Sequence, residues 1–387
     1  EVMVLTEAVI NYLAEHREEH LAALKDFLRI PSVSTDSAFK ADVRAGAQFV
    51  NNYLLKIGFD QVEIKETAGH PLVYGEWLGA GEEAPTVLVY GHYDVQPADP
   101  LELWDSDPFE PEIRDGRLYA RGASDDKGQV FMYLAVFEAF MKTTGELPIN
   151  VKVCIEGEEE IGSENLYELL REKKEQFDAD FALISDSGMV AEEQPTILYG
   201  LKGFTGLEFT IHGPSSDLHS GIYGGAVRNP LMAMAHVLAS MKDENEVVLV
   251  DGFYDGVEPL SDEERNMMAE APSEDYVKTT GVKETVSEQG YTVTEHTMAR
   301  PTLEVNGLFG GYQGEGTKTI IPSSATAKLT CRLVPGQDPE KIQDALAEHI
   351  EKNLPSGVTV DIVREPLSAK AYQVDPKHPY IQKAAES

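Results

Sequence analysis

The segment "CIEGEEEIGS" (Cys154–Ser163) places four glutamates, Glu156, Glu158, Glu159 and Glu160, within five positions. They follow directly on a run in which Val151, Val153 and Ile155 alternate strictly, the pattern of a strand packed on one face. Carboxylates crowded at the end of a buried strand repel one another and are costly to desolvate unless a positive group meets them. Other strand-like runs end in the same kind of residue. "TVLVYGHYDV" (Thr86–Val95) closes on His92 and Asp94, the turn after "GRLY" carries Asp125 and Asp126, and "DFALISD" closes on Asp186. Imidazole plus carboxylate is a ligand set for zinc, manganese or cobalt, and a shared carboxylate can bridge two such ions. A metal pair is therefore the expected positive partner.

Each residue alone says little. An isolated H-x-D is common, "DD" before "KG" also reads as a helix N-cap, and an acidic run suits a solvated helix start. Two carboxylates could also hydrolyse a glycoside without metal. The order of these residues and their placement at strand ends favour the metal reading, because ligands of open α/β sheets gather at the carboxyl ends of the strands.

The elements that must position them follow from periodicity. Residues 7–28, 43–57 and 163–177 have helical spacing, as does the stripe Val130, Tyr133, Leu134, Phe137 and Met141. Strands alternating with these helices predict an α/β layer with a mixed, largely parallel sheet. After about residue 200 the texture becomes α+β: alternating strands "GLEFTIHG" and "ATAKLTCRLVPG", and amphipathic helices over 229–241 and 339–354. The expected organisation is a catalytic domain over 1–201, a two-layer sandwich inserted over 202–366, and a return to the catalytic domain over 367–387.

Composition bounds the partners. The chain has 387 residues, 42% of them hydrophobic, which suffices for two domains of ordinary size. With 32 Lys and Arg against 67 Asp and Glu, the net charge of −35 repels phosphate backbones and anionic lipid, so neither nucleic acid nor a membrane is expected. There is no run of about 18 apolar residues, and the acidic amphipathic start lacks the basic stretch of a signal peptide. The expected compartment is the cytoplasm. Cys154 and Cys331 lie in apolar strand-like runs and read as two buried, reduced thiols.

The motifs "GHYDVQP", "LYARGASDDKG", "EGEEEIGS" and "ISDSG", in this order, resemble those of the M20 family of co-catalytic metallopeptidases, in particular its branch of carnosinase-like dipeptidases. "RIPSVST", "DLHSGIYGGAVRNP", "GTKTIIP" and "CRLVPGQDP" extend the likeness over almost the whole chain. The resemblance implies metal-dependent hydrolysis of dipeptides or short peptides by a hydroxide bridging two divalent ions, zinc first, with manganese and cobalt as alternatives. His92, Asp125 and Asp186 would bind one ion, and Asp125 would bridge to a second that Glu160 also binds. Glu159 falls on the family's general base and acid, where it can move a proton beside the ligand Glu160. Asp94 would hold the His92 ring as a catalytic support. His219 would stabilise the oxyanion in the partner subunit of a homodimer formed through 202–366, while Thr319 and Arg332 would contact the substrate. Asp126 is expected to shape its turn, and Glu156 and Glu158 to face solvent or cap the next helix.

In one respect the chain departs from the family pattern. The family completes its second metal site with a histidine near the C-terminus, and His378 in "DPKHPYI" matches only the approach to the last catalytic-domain helix. The expectation is a native protein that continues beyond Ser387, the alternative being a degenerate form with one intact metal site. For the activity, the alternatives to a dipeptidase are an N-acyl amino acid deacylase of the same fold or a non-catalytic homologue without the second site.

Overall fold

The computed structural model describes residues 2–189, 192, 194–270 and 275–386, with side chains from residue 6 onward. The chain forms two compact units, Glu1–Gly188 and Met189–Ser387.

In the first unit, helices α1 (Val2–Glu15) and α2 (Arg17–Leu28) replace the single helix expected over 7–28. The break falls at His16, whose ring stacks on Tyr12 and whose Nδ1 lies 2.9 Å from the Tyr12 carbonyl. Helix α3 (Lys40–Ile57) precedes strands β1 (Gln61–Lys65), β2 (Leu72–Trp77) and β3 (Thr86–His92). Helix α4 (Lys127–Thr143), strand β4 (Asn150–Glu156), helix α5 (Glu164–Glu172) and strand β5 (Phe181–Ile184) follow. The sheet order is β1-β2-β4-β3-β5. Strand β3 is parallel to both its neighbours, whereas β2 is antiparallel to β4 and to β1. The expected mixed sheet with parallel core strands is thus observed.

The alternation in β4 separates the two faces. Val151, Val153 and Ile155 pack with Phe27, Val43, Val50, Leu54, Val130 and Leu134 of the helices on one side. Cys154 packs on the other side with Leu72, Tyr74, Leu166 and Phe177. Register then levels the strand ends: His92 pairs with Glu156, and Tyr90 pairs with Ile184. The loops that follow β3, β4 and β5 therefore open on one rim.

The second unit contains a sheet of strands β6 (Gly203–His212), β7 (Thr302–Gly310), β8 (Ser324–Leu333) and β9 (Thr359–Arg364), in the order β7-β8-β6-β9, with every pair antiparallel. Helices α6 (Pro230–Ala239) and α7 (Pro339–Asn353) share its core with Leu207, Phe209, Ile211, Leu329 and Cys331. Both helices begin with a capping side chain followed by proline: Asn229 accepts from Leu231 N–H and Asp338 from Glu340 N–H. This is the two-layer α+β sandwich that the sequence predicts.

Leu134 is 1% exposed in the first core. Leu134→Ala is expected to destabilise its unit by about 2–5 kcal/mol, read from the shift of the urea unfolding transition.

Candidate metal centre

His92 is the last residue of β3 and is wholly buried, as is Asp94 two residues on. The imidazole Nδ1 lies 3.0 Å from the Asp94 carbonyl oxygen and 3.3 Å from its Oδ1. Donation from Nδ1 turns Nε2 toward three carboxylates: Asp125 Oδ1 at 3.1 Å, Asp186 Oδ2 at 3.6 Å and Glu159 Oε2 at 3.9 Å. His92, Glu159 and Asp186 offer ligand atoms that lie within 4.8 Å of one another.

The Asp94 carboxylate has a second task. Its Oδ1 accepts the Glu159 N–H and its Oδ2 the Glu160 N–H, both at 3.2 Å. One buried carboxylate thereby ties the end of β3 to the turn after β4. That turn is a single 3-10 turn, Glu159–Ile161, closed by Gly162 at φ 96, a backbone conformation natural to glycine. Glu160 Oε2 accepts from Gln96 Nε2 at 2.7 Å. The sequence reading passes over Gln96, although it stands four residues after His92 in the quoted motif.

Asp125 has a side chain 63% exposed, so it is the most open carboxylate facing Nε2. Asp126 precedes α4 but makes no side-chain cap; its Oδ2 instead accepts the His92 N–H at 3.1 Å, and its buried Oδ1 has no partner among the described residues. It therefore anchors the strand end as well as forming the turn.

Glu156 and Glu158 depart from expectation. They neither face solvent nor cap the next helix by a side-chain bond, and are 2% and 4% exposed. The period of two puts Glu156 on the same face as Cys154, where its Oε1 accepts from Tyr90 Oη at 2.5 Å and Ser163 Oγ at 2.8 Å. Glu158 accepts from His70 N–H at 2.7 Å and Asn165 Nδ2 at 2.9 Å. Neutral donors meet these two acids.

The electrostatics follow from crowding. Burial, together with repulsion from Asp186 and Glu160, raises the Glu159 carboxyl to about 7 despite the attraction of His92. Burial chiefly raises Glu160 as well, and takes Asp126 to about 7. Burial opposes charge on His92, but its bonds to Asp125, Asp186 and Asp94 outweigh that and push the imidazole far above its ordinary value. Asp125 is lowered by its bond to His92. A site that draws a proton this strongly has an excess of negative charge directed at one point. Its imidazole nitrogen and carboxylate oxygens are the donors that borderline and hard divalent ions take, so the residues fit such ions.

The other candidates belong to the second unit. His219 pairs with Ile320 in a short antiparallel ladder, and its Nδ1 accepts from Gly221 N–H at 3.0 Å. The Thr319 carbonyl accepts from Ser220 N–H at 3.0 Å, so the ladder brings His219 and Thr319 together. Arg332 is exposed on β8, in register with Thr302 and Phe204, with no ion-pair partner among the described residues. His378 is exposed at the start of the last helix.

A sequence model of Peptidase family M20/M25/M40 matches residues 88–386. The chain belongs to this family and is a peptidase, and membership implies divalent metal ions. A Cys-Gly metallodipeptidase of Candida albicans is 32% identical over 386 residues, which cover 93% of this chain and 79% of that protein. The Beta-Ala-His dipeptidase of Homo sapiens is 32% identical over 365 residues, covering 90% and 71%. Among solved structures, human carnosine dipeptidase 1 superposes with a TM-score of 0.80 at 28% identity, over 99% of this chain and 84% of that one. An M20 family metallo-carboxypeptidase from Sulfolobus solfataricus gives 0.81 at 34% identity, over 95% and 82%. No helix among the described residues is long and apolar enough to cross a membrane.

Zinc or manganese at about 100 times its dissociation constant should stabilise the metal-stripped protein by about 2.7 kcal/mol, seen as a rise in Tm. Asp94→Asn should weaken metal affinity about 10- to 100-fold, measured by calorimetric titration.

Proposed function

We propose that this peptidase hydrolyses dipeptides, with Glu159 as general base and acid. His92, Asp125 and Asp186 would hold one divalent ion, and Asp125 and Glu160 a second; zinc is the first choice, manganese and cobalt the alternatives. The observation that carries this reading is the convergence of Asp125, Asp186 and Glu159 on His92 Nε2, at 3.1, 3.6 and 3.9 Å. Divalent ions bound there supply Lewis acidity, which offsets charge on the scissile carbonyl and lets water ionise near neutral pH.

The chain's own groups do the rest. Glu159 stands next to the assigned ligand Glu160, where a carboxylate can take a proton from water and return it to the leaving amine. Glu159 keeps its side chain 36% exposed, which leaves it open to substrate and water. Asp94 holds the His92 ring and the Glu159–Glu160 turn in one frame, so the proton-moving oxygen stays beside the ligand cluster.

His219 is assigned to the oxyanion, and Thr319 and Arg332 to the substrate. The exposed guanidinium of Arg332, without an ion-pair partner among the described residues, suits a free carboxylate. Residues 202–366 are assigned as an inserted lid and dimerisation domain between 1–201 and 367–387. Pairing of Gly200–Leu201 with Tyr372–Gln373 supports the insertion, because it brings the two ends of that module side by side. Exposed Val305, Leu308 and Phe309 on the edge strand β7 support a homodimer. Two buried free thiols, Cys154 and Cys331, support a cytoplasmic setting.

Glu159→Gln should lower kcat about 10²- to 10⁴-fold on unblocked dipeptides, with metal content unchanged. Cleavage of N-acetyl amino acids but not of dipeptides would overturn the dipeptidase reading in favour of a deacylase. Absence of any turnover by protein with both ions bound would leave only a binding role.

A further inference from the structure

The loop Thr67–Pro71, "TAGHP", holds both strand ends that carry the site, yet it contributes no atom to the ligand cluster. On one side Tyr93, between His92 and Asp94, donates from its Oη to the Pro71 carbonyl at 2.5 Å. On the other side Glu158, immediately before Glu159, accepts the His70 N–H at 2.7 Å. The loop is itself tied: Thr67 Oγ1 donates to the His70 carbonyl at 2.6 Å and accepts the Gly69 N–H at 3.1 Å. The His70 ring reaches the Ser34 carbonyl at 3.1 Å through Nε2.

Glu158 is the pivot of this arrangement. Its carboxylate is 4% exposed, and Asn165 Nδ2 at the start of α5 also binds it, at 2.9 and 3.1 Å. Its carbonyl accepts from Ile161 N–H at 3.1 Å and Ser163 N–H at 2.9 Å, which closes the turn holding Glu159 and Glu160. The fit is close: a Cβ on Gly69 would lie 1.6 Å from Glu158 Oε1, so only glycine lets the loop and the carboxylate meet. A buried acid with no ion-pair partner among the described residues, met instead by a main-chain N–H and an amide, is an expensive device for mere solvation. It is an economical one for fixing a direction.

We propose that Glu158 is a positioning residue: with Tyr93 it fastens the loop Thr67–Pro71 across the ends of β3 and β4, and so sets where the Glu159 and Glu160 carboxylates point. The proposal rests on Glu159 acting as the base, and a second readout is chosen that does not. Glu158→Gln keeps the shape but turns one acceptor into a donor that faces the donors of His70 and Asn165.

In metal-loaded enzyme with a dipeptide substrate, E158Q should lower kcat about 10- to 100-fold while KM moves by less than about three-fold, the signature of a lost transition-state arrangement. In metal-free protein, hydrogen exchange should quicken together in the peptides covering 67–71 and 157–163 and stay unchanged in α4. Unchanged exchange in both peptides overturns the brace whatever the activity. Unchanged kcat, or kcat and KM changed alike, overturns the positioning role. If wild type turns over no dipeptide, the assignment of Glu159 fails, and the exchange data still decide the brace. If E158Q does not accumulate folded, Tyr93→Phe takes its place, removing only the bond to Pro71. The same split in kcat and the same paired exchange are expected, and their absence overturns the proposal.

Discussion

The structure of the first unit is governed by one electrostatic constraint: a rim of carboxylates at the ends of parallel strands, with a single wholly buried imidazole among them. Register brings the ends level, and burial removes the water that would otherwise screen them. Burial first, and this crowding second, raise Glu159, Glu160 and Asp126, while bonds to the surrounding carboxylates push His92 far above its ordinary value. Negative charge gathered in this way suits the divalent ions that membership of the peptidase family implies.

The acids there divide into two kinds by what meets them. Asp125, Asp186 and Glu159 face His92 Nε2 and keep part of their surface open. Asp94, Asp126, Glu156 and Glu158 are buried, and each has at least one oxygen that accepts from a backbone N–H, a hydroxyl or an amide. The first kind can hold ions or move protons. The second kind holds the first in place, and without these bonds the short turn around Glu159 would have little beyond its own 3-10 geometry to fix it.

Much of this was legible from residues alone. His92, Asp94, Asp125, Asp186 and the run Glu158, Glu159 and Glu160 stand out because imidazole and carboxylate recur where apolar strands stop, and the structure brings them together in one unit; only the family resemblance singled out Glu159 and Glu160 within that run. The second-unit sandwich was legible from alternation in its strands and from the amphipathic pattern of its two helices. Strands β1, β2, β7 and β9 were not. The edge strands β1, β7 and β9 expose much of their surface, and charges such as Glu63, Glu304 and Asp361 interrupt their hydrophobic pattern. The break at His16 was hidden too, since an aromatic stack and one carbonyl contact interrupt a helix without a proline or glycine to mark it.

Sequence by itself determined the chemistry available to this protein: which donors exist, that they sit at strand ends, and that their order is that of a metallopeptidase family. It could do so because strand periodicity and residue type are local properties. Only tertiary structure decided which carboxylates do which work. Glu156 and Glu158 look like their neighbours along the chain, but a period-two face and a loop some ninety residues away bury them among neutral donors. The roles of these four closely spaced acids depend on the groups that approach each one from elsewhere in the fold, and that partnership is not written in their spacing.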